Sequence, residues 1–167
     1  LSAYDSLAVG PGIGIDNDDW QKSKDYLMAF GGLLILDADA LNRISESKLG
    51  SNFFLERKSK TWITPHSKEF GRLFPNIKSN TNVGLARDAA KEFNISILLK
   101  GANSIVADSK KVWQLFGTDS QTARAGLGDL LSGFIAGSSA IDLTFCRNIT
   151  TDFFAKYVLL HSFAASK

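Results

Sequence analysis

Cysteine is almost missing from this sequence: Cys146 is the single one among 167 residues. A lone thiol cannot close an internal disulfide, so a disulfide-stapled scaffold is excluded, and a reducing compartment, the cytoplasm, is the expected location. Charge of one sign is missing as well. Nineteen Lys and Arg face seventeen Asp and Glu, for a formal charge of +2 with no long block of either sign. The concentrated basic surface that a nucleic-acid partner requires is therefore not expected. Long apolar runs are also absent: residues 31–36 and 153–160 fall far short of the roughly 20 needed to cross a bilayer. No basic-then-apolar leader opens the chain, so no membrane partner is expected. No repeat or low-complexity linker divides the sequence, and residues 1–167 are expected to form one domain.

What is present is a hydrophobic content of 44%, enough for the core of an ordinary domain. Short apolar or β-branched runs at residues 7–9, 33–36, 61–64, 95–99, 104–107 and 112–116 have the length of strands. Helical spacing separates several of them, over residues 18–30 and 82–93. Strand-helix alternation with fully apolar strands such as Leu33-Leu34-Ile35-Leu36 predicts a mostly parallel sheet covered by helices, an α/β fold. Residues 104–107 and 112–116 instead predict an antiparallel hairpin across Asp108-Ser109-Lys110-Lys111. A small-residue helix at 129–140 and an aromatic-rich helix at 152–165 follow.

In open α/β sheets ligands bind beyond the carboxyl ends of the strands, and polar or glycine-rich residues follow several of the expected strands. Gly10-Pro11-Gly12-Ile13-Gly14 is either a tight turn or a loop that lets backbone approach a ligand. Asp37-Ala38-Asp39-Ala40-Leu41-Asn42 offers carboxylates for a metal-water cluster or substrate hydroxyl, or a cap for the next helix. In Thr64-Pro65-His66-Ser67-Lys68-Glu69, a helix start would put His66 and Glu69 on one face, whether toward a ligand or toward solvent. Lys100-Gly101-Ala102-Asn103-Ser104 could hold a phosphate, or be a plain hairpin turn. His161 sits in an apolar pattern and is expected in a core or interface.

The strongest signal is Ala125-Gly126-Leu127-Gly128-Asp129, which opens an apolar helix. Amides at a helix N-terminus are unpaired and lie at the positive end of the dipole, and two glycines admit a phosphate without an intervening side chain. Asp129 at the rim could take the proton of an attacking hydroxyl during phosphoryl transfer, or simply cap the helix.

In their order along the chain, these segments resemble the carbohydrate-kinase-like domain of the NAD(P)H-hydrate dehydratases, within the ribokinase superfamily. The family pattern runs VGPGLG, LDADALN, TPHPGEF, KGAGT and GTGD; here it reads Val9 to Gly14, Leu36 to Asn42, Thr64 to Phe70, Lys100 to Ser104 and Gly126 to Asp129. The resemblance implies a ribokinase-like three-layer α/β/α fold and a lyase that uses ADP or ATP to dehydrate NADHX or NADPHX to NADH or NADPH, releasing AMP (or ADP) and phosphate. It also implies roles. Gly126, Leu127 and Gly128 would form the anion hole and Asp129 would be the base; Lys100, Gly101, Ala102, Asn103 and Ser104, with Gly128, would hold the nucleotide. Gly12, Gly14, Asp39, Asn42, His66 and Asp129 would meet the hydrated substrate and its phosphate region, and Glu69 would serve Mg2+. A homo-oligomer such as a tetramer, and a fused or associated epimerase domain, are implied partners. The sequence departs from the pattern at Leu127, where a hydroxyl residue is usual, at Asn103-Ser104 and at Arg124, and the βα elements that precede VGPGLG in the family do not precede it here. A kinase for a thiazole or pyrimidine vitamin precursor, and a catalytically silent nucleotide-binding module, are the alternatives.

Overall fold

Leu33-Leu34-Ile35-Leu36 is apolar at every position, and all four side chains are buried, as a strand covered on both faces requires. Successive strand residues point to opposite sides, so one strand feeds two cores. Leu34 and Leu36 join Ile63, Ile97 and Leu99 on one face; Leu33 and Ile35 join Trp62, Leu98 and Val106 on the other. The computed structural model describes residues 4–14, 20–116, 126–146 and 148–165.

Among the described residues six strands form one sheet in sequential order: β1 (Ser6–Val9), β2 (Leu33–Leu36), β3 (Thr61–Ile63), β4 (Ser96–Leu99), β5 (Ser104–Ala107) and β6 (Val112–Leu115). β1 to β4 are parallel, and β4-β5-β6 is an antiparallel meander, with the expected hairpin as its last two strands. The connections carry α1 (Trp20–Ala29), α2 (Ala38–Glu46), α3 (Asn52–Glu56), α4 (Ser67–Leu73) and α5 (Asn82–Phe93), all of which contribute to the first core. Parallel crossovers of one hand on one face march each strand beside the last, which accounts for the sequential order. α6 (Leu127–Phe145) and α7 (Thr151–Ala165) cover the second face. There the Trp62 and Phe154 rings stack 4.6 Å apart at 3°, each wholly buried and each contributing on the order of 3 kcal/mol by burial. The result is the expected three-layer α/β/α architecture.

The differences from the sequence expectation are local. α5 has the expected bounds, with Thr81 accepting the Gly84 N–H at its start and Asn94 closing it in the left-handed region at φ 51°. α6 runs beyond residues 129–140 at both ends, and its small residues Gly133, Gly137 and Ser138 do not interrupt it. The five-residue α3 is too short to show a period. The expected start of α1 at Asp18 lies outside the described residues. No described helix is long and apolar enough to cross a membrane.

Candidate active site

The carboxyl ends of β1 to β4 gather the segments singled out in the sequence. Gly10 leaves β1 with φ +138°, and a Cβ there would sit 1.7 Å from the Asp37 carbonyl oxygen. The close backbone approach expected of this loop is thus real, but its object is the chain entering α2. Gly14 N donates to Asp39 Oδ2 at 3.1 Å, and Arg43 Nε donates to the Gly14 carbonyl at 2.6 Å. Asp39 and Arg43, one turn apart on α2, therefore hold the far end of the glycine loop, while Gly12 is exposed. Asn42 turns to α4, its Oδ1 accepting from Arg72 Nη2 at 2.6 Å.

Asp37 is the N-cap of α2 and is 1% exposed. Its Oδ1 accepts from the Ala38 N–H at 2.8 Å and from the Lys100 ammonium at 2.8 Å; its Oδ2 accepts the Ser132 hydroxyl at 2.6 Å. A buried carboxylate needs such partners, since an unpaired one costs several kcal/mol, on the order of 3–5 when its partner is deleted. Asp37 thereby joins three elements: the end of β2, the turn after β4 and the first turns of α6. The sequence offered a cap, a metal-water cluster or a substrate hydroxyl for this stretch; the structure shows the cap together with an ion pair that none of these contained.

Lys100 begins the turn between β4 and β5, and its N–H donates to the Pro65 carbonyl at 2.9 Å, extending the β3–β4 pairing to His66. Its ammonium also lies beside α6: a Cβ at Gly128 would sit 3.8 Å from Lys100 Nζ. Gly101, Ala102 and Asn103 are exposed and Ser104 starts β5, so this turn opens to solvent next to the α6 N-terminus. Gly126 is the N-cap of α6 at φ +87° and brings no side chain to its amides, unlike Asp37, His66 and Thr81 at α2, α4 and α5. Leu127 and Gly128 are half-buried, and Asp129 in the first turn is exposed. Arg124 and Ala125 lie outside the described residues.

His66 and Glu69 form a reciprocal cap on α4. His66 Nδ1 accepts from the Lys68 and Glu69 N–H groups at 3.1 and 3.3 Å, and Glu69 Oε2 accepts the His66 N–H at 2.8 Å. Nδ1 being an acceptor, the ring proton belongs on Nε2, 3.4 Å from Glu69 Oε1. The imidazole is half exposed while the Glu69 carboxylate is buried. Among the described residues no three His, Cys, Asp or Glu groups assemble as a metal site. His161 is half-buried against Phe134, as its apolar pattern predicted, and burial lowers its pKa from 6.5.

The structure thus brings Lys100, Gly128, His66 and Glu69 to the carboxyl end of the sheet through Asp37 and the β3–β4 extension; Asp39 and Gly14 are joined to each other, and Asn42 faces α4. What the sequence missed are Asp37 as a hub and Ser132 as its partner. The spacing of Ser132 four residues after Gly128 was the available signal, since it places the hydroxyl one turn behind the glycine. A cavity of about 920 Å3 opens at the opposite end of the sheet, lined by Tyr26, Phe30, Gly32, Ser59, Lys60 and Asn148 among others. It contains none of the candidate residues, which gather instead at the carboxyl ends, the place where ligands bind in open α/β sheets.

Comparison with known proteins agrees with this geometry. The NAD(P)H-hydrate dehydratase family model matches residues 1–165. The chain is 34% identical over 138 residues to the bifunctional NAD(P)H-hydrate repair enzyme Nnr of Synechocystis, covering 82% of this chain and 26% of that protein. It is 31% identical over 137 residues to the ADP-dependent (S)-NAD(P)H-hydrate dehydratase of Nitrosopumilus maritimus, covering 80% of this chain and 45% of that one. A ribokinase-like superfamily protein from Enterococcus faecalis superposes with a TM-score of 0.78 at 27% identity, over 95% of this chain and 54% of that chain. The chain spans less than half the length of these two curated relatives, and the family model runs through every segment of the site. It belongs to the NAD(P)H-hydrate dehydratase family.

Proposed function

We propose that residues 1–167 are part of the nucleotide-binding catalytic unit of an ADP- or ATP-dependent NAD(P)H-hydrate dehydratase, a lyase that returns NADHX or NADPHX to NADH or NADPH. The observation that carries this reading is the meeting of the Lys100 ammonium with the N-terminal turn of α6 at Gly128, one residue before Asp129. A cation beside uncapped helix amides suits a phosphate, and Gly126, Leu127 and Gly128 can offer main-chain N–H groups to it. The turn from Gly101 to Ser104 opens beside the same place and suits the rest of the nucleotide.

The chemistry asked of these residues is modest. The Asp129 carboxylate accepts the proton of the hydrate's ring hydroxyl as its oxygen bonds to the terminal phosphorus of the nucleotide, and the nucleotide leaves as AMP or ADP. The new phosphate ester then departs with its C–O electron pair while the adjacent ring carbon gives up a proton, and the dihydronicotinamide double bond is restored. Hydroxide leaves poorly and phosphate well, so a kinase-type site serves a net dehydration. Exposure of Asp129 suits a base that must reach a substrate hydroxyl.

Mg2+ is the expected companion of nucleotide phosphates, and it characteristically keeps several waters and takes only one or two carboxylates from protein. The donor set fits an ion arriving with the nucleotide rather than a resident one, since no described metal cluster exists. Glu69, through the Oε1 not taken by the main chain, is our candidate to hold it, and His66, Gly12, Gly14, Asp39 and Asn42 our candidates to line the substrate side. Cytoplasmic residence, a homo-oligomer such as a tetramer, and association with an epimerase domain belong to the same proposal.

The test is to incubate the protein with hydrated NADH, Mg2+ and either ADP or ATP and to follow the return of NADH absorbance together with inorganic phosphate. Asp129→Asn should lower turnover by about 100-fold or more while ADP affinity stays within a few-fold. A stable phosphorylated alcohol instead of NADH would make the chain a small-molecule kinase. Nucleotide binding without turnover in the unsubstituted protein would make it a silent module.

A further inference from the structure

Asp37 appears in none of the roles above, yet it is the most fully partnered charged side chain of the site. Its Oδ1 takes the Lys100 ammonium and its Oδ2 the Ser132 hydroxyl, 2.8 and 2.6 Å away. The carboxylate is buried, whereas the Lys100 side chain is 26% exposed. One end of this ion pair is therefore fixed in the protein, and the other reaches the surface beside Gly128. A free lysine on a flexible four-carbon stem samples many directions; a lysine held at one hydrogen by a buried carboxylate points its remaining two in a restricted cone. Ser132 lies one turn along α6 from Gly128, so the same carboxylate ties the helix that carries the amides to the residue that carries the cation.

We propose that Asp37 is a positioning residue for phosphoryl transfer: it aims the Lys100 ammonium at the phosphate site and fixes that ammonium in register with the first turn of α6. This rests on the nucleotide reading of the site given above. Asp37 itself touches no phosphate.

Asp37→Asn separates positioning from folding. Asparagine caps a helix as well as aspartate does and keeps the shape, so α2 should survive. Ground-state nucleotide affinity receives two opposed changes of similar size: Lys100 loses its order, and a carboxylate near the incoming phosphate is removed. The KM for ADP should then move less than about threefold, while kcat, which depends on alignment in the transition state, falls about tenfold or more.

The decisive arm is a double-mutant cycle with Lys100→Met. If Asp37 acts through Lys100, adding Asp37→Asn to Lys100→Met costs no further turnover, and the double variant melts above Lys100→Met alone because the buried carboxylate no longer lacks a partner. The proposal is overturned if Asp37→Asn lowers kcat equally in both backgrounds, if the KM for ADP rises as much as kcat falls, or if kcat is unchanged. Failure of the dehydratase reading looks different. If hydrated NADH is not turned over but ADP still binds by calorimetry and the double variant still melts above Lys100→Met, the coupling of Asp37 to Lys100 stands and only the reaction must be reassigned. If wild type does not bind ADP at all, both proposals fall.

Discussion

Replacing Gly10 with alanine tests how tightly the site is built into the fold. At φ +138° an L-residue is strained, at about 1–3 kcal/mol. Its Cβ would also fall 1.7 Å from the Asp37 carbonyl oxygen and 2.7 Å from the carbonyl carbon. Those are main-chain atoms that cannot swing aside like a side-chain tip, so β1 and the start of α2 must separate. That separation breaks the Asp37 N–H to Val9 carbonyl hydrogen bond, now 3.1 Å, worth about 1 kcal/mol net, and overpacking adds about 1–3 kcal/mol. The sum spans about 3–7 kcal/mol, or about 10–20 °C in Tm at the middle of that range for a chain of this size. Gly12→Ala is the control: its φ of +68° is also unfavourable, but nothing lies within 4 Å of the new Cβ, so only about 1–2 kcal/mol of strain should appear. Urea unfolding of both variants followed by circular dichroism reads the difference directly. If Gly10→Ala costs no more than Gly12→Ala, the close approach of β1 to Asp37 is not as described, and the placement of the carboxylate hub goes with it.

Two further outcomes follow from buried charge. Arg57 is 6% exposed and donates to the Leu27, Phe30 and Gly32 carbonyls and to Thr61 Oγ1, and burial lowers its pKa to about 10. Arg57→Met fills much of the space but strips three carbonyls of their donor, and should lower unfolding free energy by about 3 kcal/mol in thermal or urea denaturation without altering ADP affinity. His161 has its pKa lowered from 6.5 by burial, so below that pH the unfolded chain binds a proton the folded one resists. Stability from this group is full above the ordinary histidine pKa and declines as pH falls through 6.5 toward the folded value. His161→Phe should therefore lose less stability than wild type between about pH 7 and 5, measured by Tm across that range.

The architecture was legible because the strands announce themselves twice, by being apolar at consecutive positions and by being separated by helical spacing. Leu33 to Leu36 needed no partner to be read as a strand buried on both faces, and its alternate side chains do enter two cores. The bounds of α5 were expected from the helical spacing of Val83, Leu85, Ala86, Ala89, Ala90 and Phe93, a local pattern, and the structure adds the caps at Thr81 and Asn94. α3 has no such signal, because a five-residue helix owes its existence to Phe53 and Phe54 packing into the aromatic cluster with Phe74 and Phe93, a long-range cause.

The site follows the same division between local and long-range causes. Gly126 before a helix and the His66–Glu69 spacing are local patterns, and each proved to be a helix start, which is the bland alternative the sequence always kept open. What lifts them above plain caps is where the helices begin relative to Lys100, and that is set by the sheet. Lys100 and Asp37 are 63 residues apart, and Asp37 and Ser132 are 95 apart. No periodicity links residues at such separations; only the parallel register of β2 with β3 and of β3 with β4 brings their carboxyl ends level, so that a residue just past one strand can reach a residue just past another. The cap at Asp37 and the ion pair at Asp37 are then one fact rather than competing ones. Capping needs a single lone pair of one oxygen, which leaves the rest of a buried carboxylate to be satisfied. Because burial without partners is so costly, the groups that satisfy it must come from whatever elements the sheet places there, and those are the turn and the helix that would meet a phosphate.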